Sequence, residues 1–578
     1  MRIFRTLNDT GDHIVGARGS AVETARGRLV FMGVLFIAAF SIVSLRVAYL
    51  CLLQDGAEPR FETAHNQASK ADALALGRAD IVDRNGVLLA TTLQTISLYA
   101  DPKLITSPER ITADLKKIFP DLNEKQVFTR LGSKGRFVWI RRGLAPKEIE
   151  AVNALGQPGL NFQSENRRFY PQEELTSHLV GYTDIDGNGL AGIERAMNQK
   201  LKESSTPVTL SIDVRYQHLL RRALKAAVTD FTAKGGAGVV MDVQTGEVLA
   251  AVSYPDFNPQ NMTDATDDQK FNRFALGVYE MGSTFKTFAM SVLLDQVDPS
   301  LGQRFDATKP LKRGRFTISD YHPEKRMLTL PEVFMYSSNI GTALVGEKIG
   351  TKRLHSFYDE LGLTRPVDMV LMEKAVPLVP KPWRDINTIT ATYGHGIAVS
   401  PLHLVRAFSG IVNGGVLPGL HFLKGEHDET RIRVISDETS EKMRHLLRLV
   451  VTHGTGSKAE VPGMLVAGKT GTAEKLNPAG GYSKHQVMSS FVGMFPADNP
   501  RYAILISVDD PKPNKKSYGY ATAGWVAAPA IAQTVKSIRT LENIANADPA
   551  HDAAIETEMS NYIRLEPKAM KQLAAFER

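Results

Sequence analysis

Ser283 and Lys286, three residues apart in GVYEMGSTFKTFAMSVLLD, are the first residues in this chain whose types and spacing could do chemistry. The run after Gly282 predicts a helix that begins at or beside Ser283. Side chains at i and i+3 share a helix face and can approach to hydrogen-bonding distance. A serine hydroxyl is a poor nucleophile until a neighbour takes its proton. A desolvated lysine near the positive end of a helix, its pKa lowered, can take it. The pair alone is a weak signal, which more often marks a solvated helix face. Two further motifs follow in order. Ser337-Ser338-Asn339 in MYSSNIG lies 54 residues on, and Lys469-Thr470-Gly471 in VAGKTGTAEK a further 132. Ser-x-x-Lys and Lys-Thr-Gly each occur once, and the other Ser-x-Asn, Ser164 to Asn166, lies upstream of the serine.

These residues need elements to hold them. GAGVVMDVQTGEVLAAVSYP reads as two strands around a Thr245-Gly246 turn. MLVAGKTGTAEK, MSSFVGMFPA and RYAILISVDD read as three more, which puts Lys469 on a strand. Alternating helical and loop segments fill 265–460 between them. Two strands early and three late predict an α+β layer built on one antiparallel sheet. Upstream, 77 to about 205 shows short β-like runs, with Asn85-Gly86 as a hairpin signal and a helical patch near 108–130. LSIDVRYQHLLRRALKAAVTDF then turns helical. The polar tail after 541 also reads as helical and is given no role.

Leu29 to Leu45 is 17 residues without a charge, and the apolar run resumes after Arg46 through Leu53. At 1.5 Å per residue, 29–53 would span about 37 Å, enough for a hydrocarbon core of about 30 Å. Five arginines (Arg2, Arg5, Arg18, Arg26, Arg28) precede it against Asp9, Asp12 and Glu23, which places the N-terminus in the cytoplasm and the bulk outside. A cleaved signal peptide fits less well, because the approach is long and no clear small-residue cleavage site follows. The remaining composition is globular: 578 residues, 43% hydrophobic, 23% charged. One cysteine, Cys51, excludes an internal disulfide and multi-cysteine metal sites. The net charge of +7 comes from 69 basic and 62 acidic residues interspersed, without the basic arm that a nucleic-acid partner would need.

The ordered motif triplet is the signature of penicillin-binding proteins and class A β-lactamases. The resemblance extends further. GRADIVDRNGVLLA (77–90) is similar to the opening of the class B penicillin-binding-protein pedestal, with Ala79 where the family has Gly. RRFYPQEELTSHLVGYTDIDGNGLAGIE (167–194) resembles its R-x-Y-P…H-x-x-G…G-x-E stretch. GHGIAVSPLHLVRAF (394–408) resembles a T-P-L-Q-like segment in which Ser400 and His403 replace Thr and Gln. The match runs over about 26–540 and looks most like the branch that works at division, from the KTGTAEK tail and the ISVDDPKP…YGYATAGWVAAPA stretch. It implies a cytoplasmic tail (1–28), a transmembrane helix (29–53), a β-rich pedestal (54–205) with a juxtamembrane linker at its start, a penicillin-binding transpeptidase domain (206–540) with a five-stranded antiparallel sheet flanked by helices, and a C-terminal tail (541–578).

The resemblance implies a membrane-anchored peptidoglycan D,D-transpeptidase of the inner membrane and septum, with its catalytic domain in the periplasm. Ser283 would be the nucleophile on the penultimate D-Ala and Lys286 its base. Ser337 and Asn339 would relay a proton to the leaving amine and hold the donor amide, and Lys469 would supply a positive field. Thr470 and Thr472 would meet the terminal carboxylate, Gly471 would clear room for the substrate, and the N–H groups of Ser283 and Thr472 would form the oxyanion hole. It implies no cofactor and no metal. The expected partners are D-Ala-D-Ala stem peptides, an amine acceptor, β-lactams as covalent inhibitors, an FtsW-like membrane glycan polymerase and other division proteins. Alternatives are an elongation-specific relative, a carboxypeptidase, β-lactamase or β-lactam sensor on the same fold, and a non-catalytic scaffold.

Other residues receive structural readings. Gly454 and Gly456 lack the ending of a phosphate loop and would shape the turn into the Lys-Thr-Gly strand. Asp184 and Asp186 would hold a turn. Arg78, Asp83 and Arg84 would form an ion network inside the pedestal, and Trp139 and Trp525 would be core.

Overall fold

The computed structural model describes residues 17–52, 77–314, 316–427, 432–476 and 481–564, in two compact units that divide after Ala71. The first holds one helix, α1 (Ala17–Leu52). Its stretch Gly27–Leu45 has a mean hydropathy of 2.2, is not buried by protein, and is long and apolar enough to cross a membrane. The helix starts before the predicted span because its approach, ARGSAVETARGR, contains good helix formers. The first 16 residues, the linker (54–76) and the end of the C-terminal tail (565–578) lie outside the described residues.

The second unit opens with β1 (Ile81–Val82) and β2 (Leu88–Ala100), antiparallel across the Asn85-Gly86 turn. Gly86 takes φ +86° there, and Asp83 Oδ1 accepts from the N–H of Asn85 (2.7 Å) and Val87 (2.8 Å). After α2 (Pro108–Ile118) and α3 (Glu124–Leu131) come β3 (Val138–Leu144), α4 (Pro146–Ala154), β4 (Leu160–Phe169) and β5 (Val208–Thr209). Strand β2 is long enough to pair with β1 at its start and with β3 and β4 beyond it. The three helices close a small core around Leu98, Leu115, Phe119 and Ile140. The expected ion network divides into separate contacts. Arg78 and Arg168 each donate Nε to the fully buried Glu194 at 2.7 Å, Asp83 holds its turn, and Arg84 reaches Glu247 at 3.2 Å. Asp184 holds a turn through Asp186 and Asn188, as expected.

Next come α5 (Val214–Asp230), capped by Asp213, then β6 (Gly235–Asp242) and β7 (Val248–Tyr254). A helical region holds α6 (Lys286–Gln296), α7 (Leu330–Met335), α8 (Asn339–Ile349), α9 (Pro401–Val412) and α10 (Asp437–Thr452). Strands β8 (Ala467–Leu476), β9 (Tyr482–Phe495) and β10 (Tyr502–Asp509) follow, then α11 (Ala527–Glu542) and α12 (Pro549–Ser560). The sheet runs β8-β9-β10-β6-β7, antiparallel throughout. Its strands are buried on both faces, which is why they read as continuous apolar runs. Val239, Met241, Ala503 and Leu505 point to the core shared with α6, α9 and α10. Val240, Ile504, Ile506 and Val508 point to the core under α5 and α11. Gly236 and Gly238 let α5 lie close, since a Cβ at either would come within 3 Å of Leu224 or Leu220.

Two readings are corrected. Trp139 is only half-buried, in a surface cluster with Phe137 (4.9 Å) and Tyr99 (6.3 Å). Trp525 is also half-buried and stacks on Tyr520 at 6.1 Å. An indole is large enough to cover apolar surface while keeping one edge wet. The polar C-terminal tail is docked: α12 buries Ile555 and Met559, and Asp552 meets Arg448 of α10 at 2.6 Å. Two large apolar residues among twelve suffice because ion pairs hold the other side.

Candidate active site

Ser283 lies in a single 3-10 turn, Gly282–Phe285, directly ahead of α6, and Lys286 is the first residue of that helix. The turn is pinned from both ends. Thr284 Oγ1 donates to Met281 O at 2.9 Å, and the turn packs on the edge strand β8. Gly471 is glycine for that reason. A Cβ there would stand 2.3 Å from Met281 O and 2.8 Å from Thr284 Cγ2. The expectation that Gly471 clears space for substrate is therefore corrected: what it clears is the backbone of the serine turn. Gly282 faces the same strand with φ +54°, its missing Cβ 3.0 Å from Thr472 O. Being the sheet edge, β8 turns half of its backbone groups toward this turn.

Ser337 sits at the junction of α7 and α8 in left-handed backbone, φ +58°. A non-glycine residue holds that conformation at a cost of about 1–3 kcal/mol only where its surroundings impose it. Here Ser337 N–H and Ser338 N–H donate back to Phe334 and Val333 carbonyls (3.2 and 3.0 Å). Ser338 caps α8 by accepting from Gly341 N–H at 2.9 Å. Asp320, which sequence reading missed, accepts from Ser338 Oγ (2.8 Å) and Ile340 N–H (2.9 Å).

Three motifs meet at Ser337. Lys286 Nζ lies 3.1 Å from Ser337 Oγ, 2.5 Å from Ser337 O and 2.8 Å from Asn339 Oδ1. Lys469 Nζ lies 2.9 Å from Ser337 Oγ and 3.2 Å from Thr470 O. Both lysines are fully buried. Burial, with the charge of Lys469 beside it, holds Lys286 well below the ordinary lysine range, while Asp320 pulls weakly the other way. Burial brings Lys469 down to about 7. A hydroxyl donates one proton and accepts others, so Ser337 can donate to a neutral lysine and accept from a charged one. Asn339 is committed inside the site, because its Nδ2 donates to Ser319 O at 3.1 Å.

The remaining expected residues are spread along β8. Thr470 is buried with its hydroxyl 2.5 Å from Thr455 Oγ1, and the turn carrying Gly454 and Gly456 delivers that threonine. Thr472 is exposed and accepts from Ala523 N–H at 3.0 Å. Ser400 and His403 form a closed local pair. Ser400 caps α9 and lies 2.7 Å from His403 Nδ1, while His403 Nε2 donates to Arg365 O at 3.0 Å.

The profile of the penicillin-binding-protein transpeptidase domain matches residues 236–532, and that of the penicillin-binding-protein dimerisation domain matches 75–212. The chain is similar to the probable peptidoglycan D,D-transpeptidase FtsI of Caulobacter vibrioides, 41% identical over 493 residues and 83% of each chain. It is 30% identical over 559 residues to the probable peptidoglycan D,D-transpeptidase PenA of Neisseria gonorrhoeae, covering 90% of this chain and 95% of that one. Among solved structures, penicillin-binding protein 3 of Mycobacterium tuberculosis in complex with aztreonam matches with a TM-score of 0.65 and 25% identity, over 82% of this chain and 98% of that one.

Proposed function

The chain belongs to the class B penicillin-binding proteins and is a serine-type peptidoglycan D,D-transpeptidase of the division branch, and from that premise we propose how its own residues carry septal cross-linking. Ser283 Oγ attacks the carbonyl carbon of the penultimate D-Ala while Lys286 takes the hydroxyl proton. The N–H groups of Ser283 and Thr472 hold the oxyanion, and losing one such donor typically costs about 3–4 kcal/mol of barrier. The C–N bond then breaks. The departing nitrogen receives its proton through Ser337, and Lys469, Thr470 and Thr472 face the carboxylate that leaves. The acceptor amine attacks the ester, gives up a proton along the same path, and Ser283 regains its own. One amide breaks and one forms, so the balance closes without a cofactor.

The observation that carries this reading is the buried hydrogen-bonded chain Lys286–Ser337–Lys469, whose two lysines lean toward the neutral form. The same reading makes 1–28 cytoplasmic, 29–53 the single crossing of the inner membrane, 54–205 the periplasmic pedestal and 206–540 the catalytic domain. It gives the anchor and pedestal an FtsW-like glycan polymerase and other division proteins as neighbours.

The test is fluorescent-penicillin labelling of the full chain in detergent. Ser283→Ala should abolish labelling with stability kept within about 1–2 kcal/mol, because a site hydroxyl contributes little to the fold. Intact mass should show a stable adduct heavier by the whole antibiotic, since a ring-opened β-lactam keeps its amine tethered. Labelling that survives the substitution would remove Ser283 as nucleophile. Loss of the adduct within seconds, with hydrolysed drug accumulating, would make the protein a β-lactamase.

A further inference from the structure

The sheet of the pedestal has one face under its three helices and one face turned outward. Leu98, Ala100, Ile140 and Leu160 point to the helices, so the residues between them, Tyr99, Trp139 and Asn161, point away. Those three stand on one rung, with Tyr99 of β2 opposite Trp139 of β3 and Asn161 of β4. Phe137 stacks on Tyr99 with ring centres 4.6 Å apart and meets Trp139 edge-on, and 45% of it is exposed. The rings are held in place. The Arg142 guanidinium lies 4.2 Å from the Trp139 ring centre. It is paired with Glu165, whose other oxygen accepts from Ser97 Oγ at 2.5 Å. Gln163, exposed, follows Asn161 along β4 on the same side.

The charge on this face is balanced. The three arginines of RFVWIRR each meet a carboxylate: Arg136 meets Asp101 at 3.3 Å, Arg141 meets Asp121 at 2.8 Å, and Arg142 meets Glu165. An anionic lipid surface or a nucleic acid draws its affinity from cations that it neutralises itself, so it gains little here. Rigid rings beside side-chain amides suit a sugar instead. The C–H face of a pyranose lies on an aromatic ring, whose face is electron-rich. Hydroxyl and acetamido groups at its rim exchange hydrogen bonds with amides such as those of Asn161 and Gln163. Trp139 and Asn161 are two strand spacings apart, about 10 Å, which leaves room for two linked sugar rings. The identity of the sugar rests on the transpeptidase reading, in which the stem peptides hang from a strand of N-acetylated amino sugars. We infer that the outer face of the pedestal sheet binds the backbone of that strand, with Tyr99, Phe137 and Trp139 as its platform.

The test uses the full chain in detergent and a soluble β-1,4 chain of N-acetylglucosamine, which has the backbone without the stems. Calorimetric titration should give saturable binding of equal strength before and after the chain is acylated with penicillin, since the catalytic site takes no part. Trp139→Ala should weaken it about tenfold, the size of one well-made stacking contact. No saturable binding by the wild type, binding that penicillin abolishes, or binding that Trp139→Ala leaves unchanged overturns the inference. If Trp139→Ala melts at a lower temperature than the wild type, Phe137→Ala, which removes an exposed ring, decides instead. Its binding should fall at least threefold, and unchanged binding overturns the inference. Heparin, a polyanionic sugar chain, checks the charge argument: tighter Trp139-dependent binding to heparin than to the neutral chain overturns the inference. A wild-type chain that penicillin does not label would overturn the transpeptidase reading, a result that stands apart from the sugar titration.

Discussion

Ser337 is the residue on which the three motifs converge, because two buried lysines compete for one hydroxyl. Lys286 loses its proton at a lower pH than a free lysine, through burial and the repulsion of Lys469. The base form of Lys286 is therefore more available than that of a free lysine. Acylation should rise with pH along an acid limb placed well below the ordinary lysine range, and stopped-flow penicillin binding across pH would expose it. Asp320 gives this limb a handle. Its carboxylate raises the Lys286 pKa, so Asp320→Asn, which can still meet Ser338 and Ile340, should move the limb to lower pH. A limb that stays in place or moves up would take Asp320 out of the circuit.

The decisive element is the contact between the serine turn and β8. Gly471→Ala would drive a Cβ against Met281 O, and backbone cannot yield as a flexible side chain can. Acylation should fall by two orders of magnitude or more while the sheet still forms, which labelling beside circular dichroism would separate. The C-terminal helix is the second such element. Beyond its own docking, the segment after α12 reaches back to α7. Thr329 Oγ1 donates to Tyr562 O at 2.6 Å, and Arg564 N–H donates to Glu332 Oε1 at 2.8 Å. Helix α7 leads directly into Ser337. A chain ended after Ala547 loses buried Ile555 and Met559 and one of the two carboxylate partners of Arg448, keeping Glu460. It should be less stable by several kcal/mol, about 2–5 for each large apolar side chain lost, and should acylate more slowly. Thermal unfolding at an unchanged midpoint would show α12 to be incidental.

At the scale of the whole molecule, two histidines far from the chemistry set the acid limit. His178 and His403 are both buried, and burial lowers each to about 4. Burial holds each neutral against the pull of a carbonyl that accepts from Nε2–H, Gln269 O at 2.6 Å and Arg365 O at 3.0 Å. The unfolded chain takes up these protons near pH 6.5 and the folded chain only near pH 4. Stability is therefore complete above about 6.5 and lost as pH falls toward 4, by at most about 3 kcal/mol per histidine. Denaturant titrations at pH 7 and pH 5 should differ by a few kcal/mol, and His403→Gln should narrow the gap. An unchanged gap in that variant would clear His403.

Much of the candidate site was legible in the sequence because it is written in short, ordered motifs, and its strands because both faces of the sheet are buried and leave continuous apolar runs. The apolar helix was legible for a similar reason: α1 needs no partner to declare its length and polarity. What the motifs could not say was their meeting point. Ser283 and Lys286 are neighbours by spacing, yet the hydrogen bonds of Lys286 run to Ser337 and Asn339, 51 and 53 residues away. Gly471 looks like a vacancy for substrate until the serine turn is seen packed against it. Asp320 carries no motif, since a single carboxylate acquires a role only from what tertiary packing sets beside it. The tail after 541 reads as polar for the same reason: its partners, Arg448 and Glu332, lie more than a hundred residues back in the chain. Local patterning determined which segments form and which side chains could react. Long-range packing, which no window of sequence contains, decided which of them touch.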